Sequence, residues 1–78
     1  MTQYEDLEHI DHSETPKIGE LVFCWSLYEE RWRPYQVASE YTKICKISKV
    51  PIWSLLNLDT GLRTSLLVKH LRRSTSNP

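Results

Sequence analysis

Seventy-eight residues make one domain at most, and a domain of about 60 residues buries only about 60% of the surface its unfolded chain exposes, so it needs good packing, a staple or self-association. No apolar run approaches the roughly 18 residues that would mark a membrane helix, and MTQYEDLEHID is acidic where a signal peptide is basic and then apolar. A soluble cytoplasmic protein with no membrane contact is the expectation. Ten Lys and Arg balance ten Asp and Glu, but unevenly. Residues 1–16 carry five acids (Glu5, Asp6, Glu8, Asp11, Glu14) and no Lys or Arg, which leaves all ten basic residues against five acids in 17–78, a surplus of five. An acidic arm in front of a basic core is thus implied.

The arm comes first in chain order. Tyr4, Leu7 and Ile10 recur every three residues, which suits one or two helical turns, too short to be stable in water unless docked on the domain. His9 and His12 also lie three apart, but a metal needs a third ligand and none is near, so they read as solvated. Ser13, Thr15 and Pro16 mark the exit from a flexible arm over 1–16.

The folded part begins at Lys17-Ile18-Gly19-Glu20. The apolar run Leu21-Val22-Phe23-Cys24-Trp25 has strand length, and a polar connection follows over Leu27 to Glu30. Arg31 to Tyr41 is a second strand with Tyr35 and Val37 on one face, Gln36 and Glu40 on the other. Pro34 cannot donate to a sheet ladder, which places it at an edge or near the strand start. Thr42 to Lys49 alternates basic and apolar residues and either extends that strand or forms a long hairpin loop. Pro51 opens the next strand. Trp53, Leu55 and Asn57 share one face of it, and Ile52, Ser54, Leu56 and Leu58 share the other.

The stretch Ile52 to Arg73 organises the chain: two strands around a tight Asp59-Thr60-Gly61 turn, with Gly61 supplying a positive φ, then one helical turn at Val68 to Leu71 and the basic pair Arg72-Arg73. Asp59 reads as a turn residue whose carboxylate holds nearby backbone N–H groups. Residues 74–78 form a polar, disordered tail. Cys24 and Cys45 are too few and too far apart for a disulfide framework or a zinc site and read as buried thiols. The resulting fold is all-β, a small five-stranded SH3-like barrel over 17–73 with one short helical turn before the last strand.

Three resemblances bear on this reading. Gly19-Glu20-Leu21-Val22 through Arg31-Trp32 to Val37, with Asp59-x-Gly61 through Leu71-Arg72, resembles the opening and ending of Tudor domains. Tudor readers of methylated Arg or Lys box the cation in aromatic rings; here Thr60 replaces the turn tyrosine and Leu62 follows the glycine, leaving Trp25 and Trp32 as walls with Tyr28 or Tyr35 as a third. The segment Arg31-Trp32-Arg33-Pro34-Tyr35-Gln36-Val37 and the ending His70-Leu71-Arg72-Arg73 are similar to the SH3-like C-terminal domain of retroviral and retrotransposon integrases, which implies DNA binding through basic and aromatic residues. The size and architecture are also similar to plasmid-borne type II dihydrofolate reductase. That likeness stops at architecture, because the strand corresponding to its active-pore Val-Gln-Ile-Tyr reads Arg63-Thr64-Ser65-Leu66 here.

No placed acid, base or nucleophile set can be assembled from His70 and the scattered acids Glu20, Glu29, Glu30, Glu40 and Asp59, so a non-enzymatic binding module without cofactor or metal is expected. The leading expectation is a small adaptor or regulatory protein that takes a protein partner on an aromatic groove of Trp25, Tyr28, Trp32 and Trp53. Trp53 and Leu55 are the residues for self-association if the monomer leaves them uncovered. Nucleic acid is the alternative partner. It rests on Arg31, Arg33, Lys43, Lys46, Arg72 and Arg73, with Trp25, Trp32, Tyr35 and Tyr41 available to stack on bases. Whether those six cations share one face separates the two readings.

Overall fold

A computed structural model describes residues 7–74 as six antiparallel strands and one 3₁₀ turn. The elements are β1 (Leu7–His9), β2 (Leu21–Ser26), β3 (Arg31–Ile44), β4 (Pro51–Asn57), β5 (Arg63–Leu67), the 3₁₀ turn Val68–His70 and β6 (Leu71–Ser74). Strands β2 to β5 form a meander joined by local turns, and the 3₁₀ turn then lets β6 cross to the far side of β2. The sheet order is therefore β1-β6-β2-β3-β4-β5.

Each hairpin has a local cause. At the β2–β3 turn the Ser26 hydroxyl accepts the Glu29 N–H at 3.1 Å and the Ser26 carbonyl accepts the Glu30 N–H at 2.7 Å, with Glu30 at φ 54°. At the β4–β5 turn Gly61 adopts φ 76° and donates its N–H to the Asn57 carbonyl at 2.7 Å. The Asn57 side chain completes that turn by accepting the Asp59 and Thr60 N–H groups at 2.8 and 3.2 Å. Asn57, not Asp59, is thus the turn-forming side chain. Among the described residues it is the one buried polar side chain.

Cross-strand register places the core on one face. Val22 stands opposite Tyr35 and Tyr35 opposite Asn57, while Val37 stands opposite Leu55. With Ile10, Trp53, Val68 and Leu71 these residues form one buried cluster, and the sheet curls around it. The alternation of β4 is complete, because Pro51, Trp53, Leu55 and Asn57 are buried and the residues between them half-buried.

Two expectations are corrected and one open alternative is resolved. The sheet is open and six-stranded, not a closed five-stranded barrel, because the chain before Lys17 supplies an additional strand. Within the described part of that arm, Leu7, Glu8 and His9 pair with Ser74, Arg73 and Arg72, and Ile10 and Pro16 are buried. A helix is absent there; β6 offers an unpaired edge, and a strand satisfies its backbone groups where a helix would not. Tyr4 lies outside the described residues, as does most of the 74–78 tail. The stretch after Tyr41 continues β3 to Ile44, and the loop is confined to residues 45–50. No helix among the described residues is long and apolar enough to cross a membrane.

Candidate binding surface

The face of β2 opposite the core carries the aromatic residues. Trp25 stands directly opposite Trp32 across the β2–β3 ladder, Phe23 stands opposite Pro34, and Arg72 of β6 stands opposite Phe23. Residues opposite one another in an antiparallel pair share a face, so Trp25, Trp32 and Arg72 emerge side by side. The two indoles meet edge to face, with centroids 5.4 Å apart and planes at 73°, the arrangement the aromatic quadrupole favours. Trp25 nevertheless keeps 43% of its surface in solvent.

Arg72 closes one side of this pair. Its guanidinium carbon lies 5.9 Å from the Trp32 ring centre, while Nη1 donates to the Lys69 and Leu71 carbonyls at 3.0 and 2.9 Å. Those bonds hold the cation in place at the end of the 3₁₀ turn. Leu27, Cys24 and His70 complete an open depression of about 260 Å³. Burial pushes the Cys24 thiol up from its ordinary value, so it is a protonated lining atom there and a poor nucleophile. Tyr28 lies beyond the rim, 99% exposed in the β2–β3 turn.

Of the expected partner-binding residues, then, Trp25 and Trp32 come together and Tyr28 projects nearby. Trp53 and Leu55 are both 0% exposed and belong to the core: the apolar face of β4 is covered within the monomer and leaves no interface. Tyr35 is buried as well and offers no stacking surface. Leu27, Cys24 and His70 escape a reading by aromatic type. The opposition of Trp25 and Trp32 across a short turn is the signal that leads to Leu27.

The six cations do not form one face. Arg31 is bound to Glu29 at 2.7 Å and Asp59 at 2.6 Å, and Arg33 lies 3.6 Å from each of the same two carboxylates. At that distance Arg33 Nε is ion-paired without a hydrogen bond. These contacts tie the tips of the β2–β3 and β4–β5 hairpins, and the Asp59 carboxylate is spent there, not on its own turn. The Asp59 bond is the main reason Arg31 titrates above its ordinary value. Arg73 is clamped between Glu20, reached by Nε at 2.8 Å, and Glu14, reached by Nη1 at 2.9 Å. The Glu14 bond is the chief cause that raises Arg73 and lowers Glu14. Arg72 faces Trp32, Lys43 stands at the far end of β3, and Lys46 is in the loop beyond it.

Neither His9 nor His12 belongs to a metal-binding group; among the described residues no three His, Cys, Asp or Glu side chains gather. No known protein family, characterised protein or solved structure is matched by this chain.

Proposed function

We propose that this chain is a non-enzymatic binding module that takes an extended peptide on the Trp25–Trp32 surface. The observation that carries the reading is the edge-to-face indole pair, Trp25 exposed and Trp32 half-buried, beside a mostly apolar depression, in a molecule whose third tryptophan, Trp53, is wholly buried. Burying Trp25, Leu27 and Tyr28 against a partner removes apolar area from water without unfolding anything. The rim specifies the partner's charge. Arg72 and His70 flank the depression and, among the described residues, no carboxylate lines it, so the peptide that fits presents a bulky apolar side chain next to an Asp or Glu.

The strand order supports an SH3-like reading of the architecture: a meander from β2 to β5, a 3₁₀ turn, and β6 returning to β2. A methyl-lysine or methyl-arginine reader is disfavoured, because Arg72 already stands against the Trp32 face and would repel a second cation. Nucleic acid binding through the six-cation set is disfavoured too, since Arg31, Arg33 and Arg73 are already paired with acids.

A displayed library of random heptapeptides tests the proposal. Enrichment of sequences with an aromatic or Leu beside an acid is expected, and it disappears for Trp25→Ala while circular dichroism stays that of the parent. In Arg72→Gln the acid preference alone should fade. Enrichment that is indifferent to Trp25→Ala, or no enrichment at all, overturns the reading.

A further inference from the structure

A second surface lies on the outer face of β3, β4 and β5. Its origin is a bulge: between the pairs Val37↔Leu55 and Thr42↔Trp53, β3 advances five residues while β4 advances two. The three surplus residues push β3 away from β4, and bulges of this kind re-aim side chains. Within the bulge the Ser39 hydroxyl accepts the Tyr41 N–H at 3.0 Å, and Tyr41 is left 87% exposed.

The gap so opened is a depression of about 270 Å³. Tyr41 and Ile52 give it an aromatic wall and an apolar floor, Lys43 and Arg63 give it two cations, and Ser39, Ser54 and Ser65 give it three hydroxyls. Register explains the convergence, because Lys43 stands opposite Ile52, Ser54 opposite Ser65, and Arg63 opposite Leu56. Arg63 also lines a neighbouring depression with Gln36, Leu56 and Ile18, so it stands between the two.

The cations of this surface are available to a ligand. Among the described residues, the Lys43 and Arg63 side chains form no ion pair or hydrogen bond, whereas Arg31, Arg33 and Arg73 are all ion-paired. Among the described residues no carboxylate lines either depression; Glu40, in the bulge itself, is not part of the lining. The geometry points to single-stranded nucleic acid as the occupant, with successive phosphates on Arg63 and Lys43, a base stacked on Tyr41, and sugar or base edges on the serine hydroxyls. A lone inorganic anion has no use for Tyr41.

The site is separate from the Trp25–Trp32 surface and does not depend on the peptide reading. Fluorescein-labelled dT12 and rU12 are titrated with the full chain and followed by polarisation from 50 to 200 mM salt. Two phosphates neutralised on a single strand give a slope of log K against log salt of about −1.4. Arg63→Gln should weaken binding and flatten that slope by about half, and Tyr41→Ala should weaken it about fivefold or more with the slope retained. Arg31→Gln, in which a paired cation is lost, should bind like the parent. The inference is overturned by no binding at 50 mM salt, by affinity insensitive to Arg63→Gln and Tyr41→Ala, by full competition from equimolar inorganic phosphate, or by binding only to vesicles containing phosphatidylserine. Because Tyr41 is solvent-exposed, its variant keeps the fold and the test remains decisive.

Discussion

Replacing Arg73 by Gln removes the joint that fastens the N-terminal segment to the sheet. Arg73 Nε donates to Glu20 and its terminal nitrogens reach Glu14, with the Arg73 and Glu20 side chains each 23% exposed and Glu14 at 38%. Glu14 is wet enough that solvent screening leaves its pair worth about 1 kcal/mol or less. Glu20 is different, since its Oε1 is already buried without a hydrogen-bond partner; loss of the guanidinium strands that carboxylate at a cost of about 2 kcal/mol. The expected total is about 2–3 kcal/mol, a large part of the roughly 4–12 kcal/mol that a chain of this size commands. Urea unfolding followed by tryptophan fluorescence measures it. With a slope near 1 kcal/mol per M, the midpoint falls by about 2 M. Arg73→Lys recovers only part of the loss, because an ammonium cannot bridge two carboxylates as the planar fork does. A midpoint within about 0.5 M of the parent for Arg73→Gln would refute the clamp.

Two further outcomes follow from the same structure. Arg73 holds Glu14 below its ordinary value of 4.5, so the carboxylate binds protons more weakly when folded. Its contribution is complete above that ordinary value and is lost as pH falls through the lower folded value. Urea midpoints taken from pH 6 down to pH 3 should decline less steeply in Glu14→Gln than in the parent; parallel curves would show that the pair contributes nothing. Asn57→Ala removes the acceptor for the Asp59 and Thr60 N–H groups, with an expected cost of about 1–2 kcal/mol. Faster amide exchange at those two residues should accompany it, and unchanged exchange would reject the assignment of Asn57 as the turn's organiser.

What the chain's periodicity could reveal was set by how locally each feature is determined. The alternation through Tyr35 and Val37 and through Trp53, Leu55 and Asn57 is a short-range signal, and those residues face the core together. The 3₁₀ turn before the last strand and the positive φ at Gly61 are likewise local. β1 was illegible because three residues, Leu7, Glu8 and His9, carry no alternation to speak of and become a strand only when β6, more than sixty residues away, offers its edge. The same distance hid the Arg73 clamp. Trp53 and Leu55 looked like an uncovered apolar face only because the residues that cover them, Ile10 and Val68 among them, lie far off in sequence.

The charge split between arm and core shows why composition does not say which cations are available to a ligand. A surplus of five positive charges over residues 17–78 would make any of those arginines a plausible phosphate ligand. Folding divides them by the acids it brings near. Glu29 and Asp59 consume Arg31 and Arg33, and Glu14 crosses from the arm to help Glu20 consume Arg73. A paired guanidinium must break its own hydrogen bonds before it meets a phosphate, so it contributes little to binding that an unpaired one does not already supply. Arg63 and Lys43 are among the cations left without an acid: Arg63 stands opposite Leu56, and Lys43 opposite Ile52. Arg63 carries no motif that would single it out in the sequence. Its distinction comes from the register of β4 and β5 and the bulge in β3, which together place it, without an acid partner, between two depressions on the outer face of the sheet.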